Sequence, residues 1–275
     1  MGRSIYCGEQ HGLRPGNDRC DIRYPADLGR NPITGQRAGF KHPVIVWANG
    51  SGQPSSKYAY YLQHLASWDF VVIAPRDKAT GTGDTTLDAA DYILKRGSSR
   101  GDVFFNRIDS NNVGVSGHSQ GGSSILKLAS EGSGPFSTFV PIHAVPGFFS
   151  RICCKFDMQA LTDTPANAAI LYLSGTGDKG NDRENRSAYD ITAPRSTKAI
   201  GLFNGSRHDD ILGTPGCVPS MPCTYGADVY TGLRHRVVHV ALARRPRRPN
   251  PMPAVWGVYD SQLLMELHGV QCPKA

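Results

Sequence analysis

The chain has 275 residues, 39% of them hydrophobic and 19% charged, which is enough apolar material for one large α/β domain with a sizeable core and excludes disorder as the default state. Its formal net charge is +7, but from residue 232 onward seven basic side chains (Arg234, Arg236, Arg244, Arg245, Arg247, Arg248, Lys274) stand against two acidic ones (Asp260, Glu266), so the preceding body is nearly neutral and the charge gives no argument for an anionic partner. No apolar run reaches the roughly 20 residues that span a bilayer, and residues 1 to 21 lack the apolar core of a signal peptide, so a soluble chain is expected, with no membrane partner.

In chain order, residues 1 to 20 read as an amino-terminal extension, and one α/β domain is expected over 21 to 231. DIRYPAD (21 to 27) suggests an edge strand. PVIVWA (43 to 48), FVVIAP (70 to 75), NVGVS (112 to 116), STFVPI (137 to 142), AAILYL (168 to 173) and KAIGLF (198 to 203) are short β-branched runs bounded by turn residues. Between them YAYYLQHLAS (58 to 67), TLDAADYILKR (86 to 96) and QGGSSILKLAS (120 to 130) space their apolar residues by three and four, as helices do. Strand and helix in alternation predict an α/β fold, a mainly parallel sheet with helices on both faces and its chemistry at the carboxyl ends of the strands. TGTGDTT (80 to 86) lacks the lysine of a phosphate-binding loop and the G-x-G-x-x-G spacing, and reads as a cap for the helix starting near Thr86.

Seven cysteines are many for a reducing compartment. Cys217 with Cys223, and Cys7 with Cys20, are candidate pairs; adjacent Cys153 and Cys154 have no obvious partners. No pair has the CxxC spacing of a zinc site, so no metal is expected and the compartment reads as extracellular or periplasmic.

After NVGVS comes Gly117-His118-Ser119-Gln120-Gly121-Gly122 and then a helix, which is G-x-S-x-G in a strand, turn, helix setting. Such a turn lifts the Ser119 hydroxyl above the sheet and puts the Gln120 N–H at a helix start, where it stabilises developing negative charge. A serine nucleophile needs a base, and the base an orienting carboxylate, in the chain order Ser, acid, His. Asp178 follows AAILYL in SGTGD, and His208 follows KAIGLF in NGSRH, so Ser119 is the expected nucleophile, His208 the base and Asp178 its orienter. Asn49-Gly50-Ser51-Gly52 follows PVIVWA and supplies the second oxyanion donor, the N–H of Ser51, with Gly50 next; Gly50, His118, His143 and Phe148 are expected near the substrate. Asp182 and Glu184 read as solvated, and Asp209 and Asp210 as shaping the His208 loop.

YPADLG, PVIVWANGSG, FVVIAP, TGTGD, GHSQGG, LYLSGTGD and FNGSRHDDI together resemble the α/β-hydrolases grouped with dienelactone hydrolases, chlorophyllase-like esterases and bacterial cutinases, polyethylene terephthalate hydrolases included. The resemblance covers residues 20 to 231 and implies a Ser119, Asp178, His208 triad, oxyanion donors at Gln120 and Ser51, an acyl-enzyme, and no metal or organic cofactor. It implies a serine carboxylic-ester hydrolase with an ester or polyester substrate, acting as a monomer. Polyester hydrolases of the group carry methionine after the nucleophile, an aromatic residue in the oxyanion loop and a tryptophan after the next strand, where this chain has Gln120, Ser51 and His143. The same triad can hydrolyse lactones or thioesters, and the contrasting reading is a non-catalytic relative whose basic tail binds nucleic acid or anionic lipid.

That tail, residues 232 to 275, is atypical. The family resemblance implies an amphipathic helix after the His208 loop, yet residues 232 to 248 hold six arginines and two histidines. One inserted G in the Gly232 codon accounts for this, because codons exist that spell residues 232 to 248 as given and read GYATAWFMWRLRGDPDA in the neighbouring frame. The tail is therefore expected to be a reading-frame scar, with no nucleic-acid partner.

Overall fold

The computed structural model describes residues 3–6 (backbone only), 20–37, 39–213, 223, 224 and 226–232. Eight strands form one sheet: β1 (Arg3–Tyr6), β2 (Cys20–Tyr24), β3 (His42–Ala48), β4 (Val71–Pro75), β5 (Ile108–His118), β6 (Thr138–Ile142), β7 (Ala169–Gly175) and β8 (Thr197–Phe203), in spatial order β1-β2-β4-β3-β5-β6-β7-β8. β1 pairs antiparallel with β2, and β2 with β4; all other pairings are parallel. This is the mainly parallel α/β sheet expected from the alternating elements, and it is consistent with the α/β-hydrolase fold that the resemblance implies. β2 is not the edge, because β1 lies outside it.

Alternating strand residues face two cores. Val44, Val46 and Ala48 pack under α2 (Asp84–Ser98) and α3 (Gln120–Glu131), together with Ile93 and Leu126. Ile45 and Trp47 face the opposite core, with Leu62 and Leu65 of α1 (Ala59–Ser67) and Val229 and Tyr230 of α6 (Asp228–Gly232). Two further helices, α4 (Phe148–Cys153), only six residues long, and α5 (Asn181–Ile191), mostly polar, do not stand out in the sequence. α2 starts at Asp84, two residues before the expected Thr86; its N-cap is Gly83 at φ 86°, which has no side chain, and Thr82 Oγ1 of the same loop accepts from Asp84 N at 3.5 Å.

From β3 the chain steps out to β4 and then returns across β3 to β5, so strand order reverses between β3 and β5. A crevice opens at such a reversal, outside the carboxyl ends of the strands. The register pairs Ala48 with Gly117, and His118 with Ile142, so the loop after β3, the turn after β5 and the residue after β6 meet at one point.

Cys153 and Cys154 are bonded to each other, and Cys20 and Cys223 are each disulfide-bonded. Cys7 and Cys217, their expected partners, lie outside the described residues, as does the tail beyond Gly232. Among the described residues no helix is long and apolar enough to cross a membrane.

Candidate active site

Ser119 sits between β5 and α3 at φ 54°, ψ −117°. A non-glycine residue there costs on the order of 1–3 kcal/mol, borne by the packing around it. Gly121 shows why the turn tolerates no bulk: a Cβ there would collide with the backbone of Ala48 and Asn49. The strained turn presents Ser119 Oγ 2.9 Å from His208 Nε2, and His208 Nδ1 is 2.8 Å from Asp178 Oδ2. Asp178 follows β7, where its N–H closes a turn onto the Gly175 carbonyl at 3.0 Å. Its other oxygen, Oδ1, accepts from Asn181 Nδ2 at 3.0 Å at the start of α5. Burial pushes the Asp178 carboxyl up, but hydrogen bonds from His143 and His208 outweigh it and hold the group below the ordinary carboxylate range. An ionised Asp178 only accepts, so His208 carries its proton on Nδ1 and presents a free Nε2 lone pair to the serine hydroxyl. That arrangement can take a proton from Ser119 as its oxygen attacks a carbon.

Gly50 packs against the serine, and a Cβ built on it would lie 3.4 Å from Ser119 Cβ, 2.8 Å from His118 Nδ1 and 2.9 Å from the Tyr58 hydroxyl. Its N–H donates to the Tyr58 hydroxyl at 2.9 Å, so Gly50 is not an oxyanion donor. Among the described residues the N–H groups of Ser51 and Gln120 have no acceptor, which leaves both available to a ligand.

Two histidines expected near the substrate lie beneath the site instead, and that expectation is corrected. His118 is buried, because the residue before the nucleophile still belongs to β5 and points into the sheet's surroundings. Its Nε2 lies 2.8 Å from the His208 carbonyl, an acceptor, so Nε2 bears the proton; Nδ1 then accepts from the Tyr58 hydroxyl at 3.0 Å. Burial, helped by His208 and His143 nearby, pushes its pKa well below the ordinary histidine value. The run Gly50, Tyr58, His118, His208 therefore ties the loop after β3 to the loop after β8. His143 is fully buried at φ 47°, with Nδ1 2.8 Å from Asp178 Oδ2.

Phe148, by contrast, is 75% exposed, and Phe149 and Ile152 are exposed beside it on α4. The end of α4 abuts the elbow, where Cys154 Sγ lies 3.6 Å from the Gln120 carbonyl. Asp210 does shape the base loop: its Oδ2 accepts from Arg207 N at 2.8 Å and Ser206 Oγ at 2.7 Å, and its Oδ1 from Thr224 N at 2.6 Å. Glu184 is not merely solvated, since it accepts from Gly147 N at 3.1 Å at the start of α4. Among the described residues two groups bring possible metal-ligand atoms within 4.8 Å of one another, His118 with His208 and Asp209, and His143 with Asp178 and His208. The imidazole nitrogens in both already have hydrogen-bond partners, which an ion would have to displace.

Residues 32–183 match the protein family described as Chlorophyllase. The chain is also similar to the bis(hydroxyethyl) terephthalate hydrolase of Streptomyces coelicolor, with 38% identity over 91 residues, covering 31% of this chain and 28% of that protein. The chain thus matches little more than a quarter of that relative's length.

Proposed function

Since the chain belongs to the chlorophyllase family, we propose that it is a serine carboxylic-ester hydrolase working through an acyl-enzyme. The observation that carries this reading is the continuous contact from Ser119 Oγ to His208 Nε2, 2.9 Å, and from His208 Nδ1 to Asp178 Oδ2, 2.8 Å. Ser119 Oγ attacks the ester carbonyl while His208 Nε2 takes its proton. The carbonyl electron pair moves onto oxygen, and the oxyanion is met by the N–H groups of Gln120 and Ser51, each such donor being worth about 10²–10³ in rate. Collapse breaks the bond to the alkoxy oxygen, which leaves as the alcohol with the proton from His208. Water, deprotonated by the same imidazole, then attacks the acyl-enzyme; collapse breaks the bond to Ser119 Oγ, which takes the proton back from His208, and the acid is released. Ionised Asp178 keeps the imidazole in one tautomer and stabilises the imidazolium formed at each step.

The finer reading is a cutinase- or polyesterase-like enzyme for bulky apolar acyl groups, including aromatic diesters such as terephthalates. It is supported by the name of the Streptomyces coelicolor relative and by the exposed Phe148, Phe149 and Ile152 next to the elbow. The disulfide-bonded cysteines support an extracellular or periplasmic site of action. Turnover of a p-nitrophenyl ester, abolished by Ser119→Ala, tests the class. Bis(hydroxyethyl) terephthalate tests the substrate. A folded wild-type chain with no turnover and no phosphonate adduct on Ser119 refutes the reading.

A further inference from the structure

Asp178 Oδ2 accepts not one imidazole but two, from His208 Nδ1 and from His143 Nδ1, each at 2.8 Å. The triad as described above makes no use of the second. His143 is fully buried, follows β6 directly, and adopts φ 47°, a positive φ that is uncommon for a residue other than glycine. Both its nitrogens are engaged: Nδ1 faces an ionised carboxylate and must donate, while Nε2 accepts from the Tyr230 hydroxyl. Tyr230 is buried on α6, with its hydroxyl 3.3 Å from Ser206 Oγ, which itself donates to Asp210 Oδ2 at 2.7 Å. Asp210 also accepts from Gly226 N at 3.2 Å, just before α6, and from Arg207 N at 2.8 Å, beside His208.

Resting on the ester-hydrolase reading, we infer that His143 is a positioning residue for the reaction: its Nδ1–H fixes the rotation of the Asp178 carboxylate so that Oδ2 faces His208, and Tyr230 fixes the tautomer that lets it do so. Among the described residues Asp178 Oδ1 accepts from Asn181 alone, an amide on the first turn of α5. Without His143 the described contacts that remain on the carboxylate are His208 on Oδ2 and Asn181 on Oδ1, one on each oxygen, and its plane can tilt so that Oδ2 moves off the line to His208. The outcome is a misaligned base with substrate binding unchanged, since His143 is fully buried and has no surface to offer a substrate. The same geometry makes α6 part of the catalytic apparatus, because Tyr230 is the element's contact with His143.

The test uses the full chain. His143→Leu removes both hydrogen bonds at similar bulk, and is expected to lower kcat on p-nitrophenyl acetate about 10- to 100-fold, as sub-ångström misplacement of a catalytic group does, with KM unchanged. His143→Asn restores an N–H near the Nδ1 position and brings kcat back to within about threefold of wild type, a rescue that simple loss of packing does not permit. Tyr230→Phe keeps the ring and costs about fivefold in kcat, the worth of one neutral hydrogen bond. In spectra of 15N-histidine-labelled protein, His143 is expected to be neutral with its proton on Nδ1. A His143→Leu enzyme as fast as wild type, equal losses for Leu and Asn, or a His143 protonated on Nε2 overturns the inference. If His143→Leu does not fold, the Tyr230→Phe rate and the tautomer decide it. Failure of the ester-hydrolase reading looks different: the wild type itself turns over no ester and forms no adduct at Ser119.

Discussion

His118→Gln gives a pH-dependent stability difference whose size follows from the structure. The wild-type imidazole is buried and neutral, with its pKa pushed well below 6.5 by burial first and by His208 and His143 next. In the unfolded chain the same side chain titrates near its ordinary 6.5. Below pH 6.5, therefore, the unfolded state binds a proton that the folded state refuses, and stability present above that pH is lost as pH falls towards the depressed folded value. Between about pH 7.5 and pH 5.5 the fraction protonated in the unfolded state rises from about a tenth to about nine tenths, which integrates to about 1.4 kcal/mol. Glutamine reaches the His208 carbonyl with an amide N–H but does not titrate. The variant is less stable than wild type at about pH 7.5, because Tyr58 loses its acceptor, and the gap narrows by about 1.4 kcal/mol by about pH 5.5. Urea denaturation followed by tryptophan fluorescence at the two pH values measures it. A gap that stays constant, or widens on acidification, means that His118 is charged in the folded state and refutes the hydrogen-bond assignment. His143 and His42 are likewise lowered by burial, so wild-type stability itself declines across this window.

Gly50→Ala forces a methyl group to within 2.8 Å of His118 Nδ1 and 2.9 Å of the Tyr58 hydroxyl. The loop after β3 must shift, and kcat on a soluble ester is expected to fall about 10- to 100-fold, with a stability loss of about 1–3 kcal/mol from overpacking two buried side chains. Phe148→Ser leaves stability within about 0.5 kcal/mol, since the ring is 75% exposed, while slowing hydrolysis of an insoluble polyester film more than that of a soluble ester. Equal slowing on both substrates rules out a role for α4 in holding polymer. Sequencing the source DNA across the Gly232 codon is expected to show one surplus G, with an aromatic-rich helix in the neighbouring frame; a frame without such a helix removes that explanation of the arginines.

Ser119, Asp178 and His208 could be named from the chain alone because each follows an apolar run that can only be a buried strand. Parallel strands under two helical layers put all their carboxyl ends on one edge, so three residues distant in sequence had one place to meet. α5 was not legible because most of its residues are polar, nor α4 because it is only six residues long, and so the hold of Glu184 on Gly147 N went unseen. Tyr58 reads as a core aromatic, which it is; that its hydroxyl spans Gly50 and His118 depends on how α1 settles against the strands.

The sequence by itself determined the strand count of the parallel body, the elbow and the order of the three site residues, because these rest on local periodicity and on residues placed directly after strands. Tertiary structure alone decided what the remaining histidines do. Whether an imidazole just past a strand lines a cleft or lies beneath it turns on one backbone dihedral, the φ of 47° at His143, and on a partner from a distant helix, Tyr230. Neither leaves a trace in local composition, since both follow from how separate layers pack.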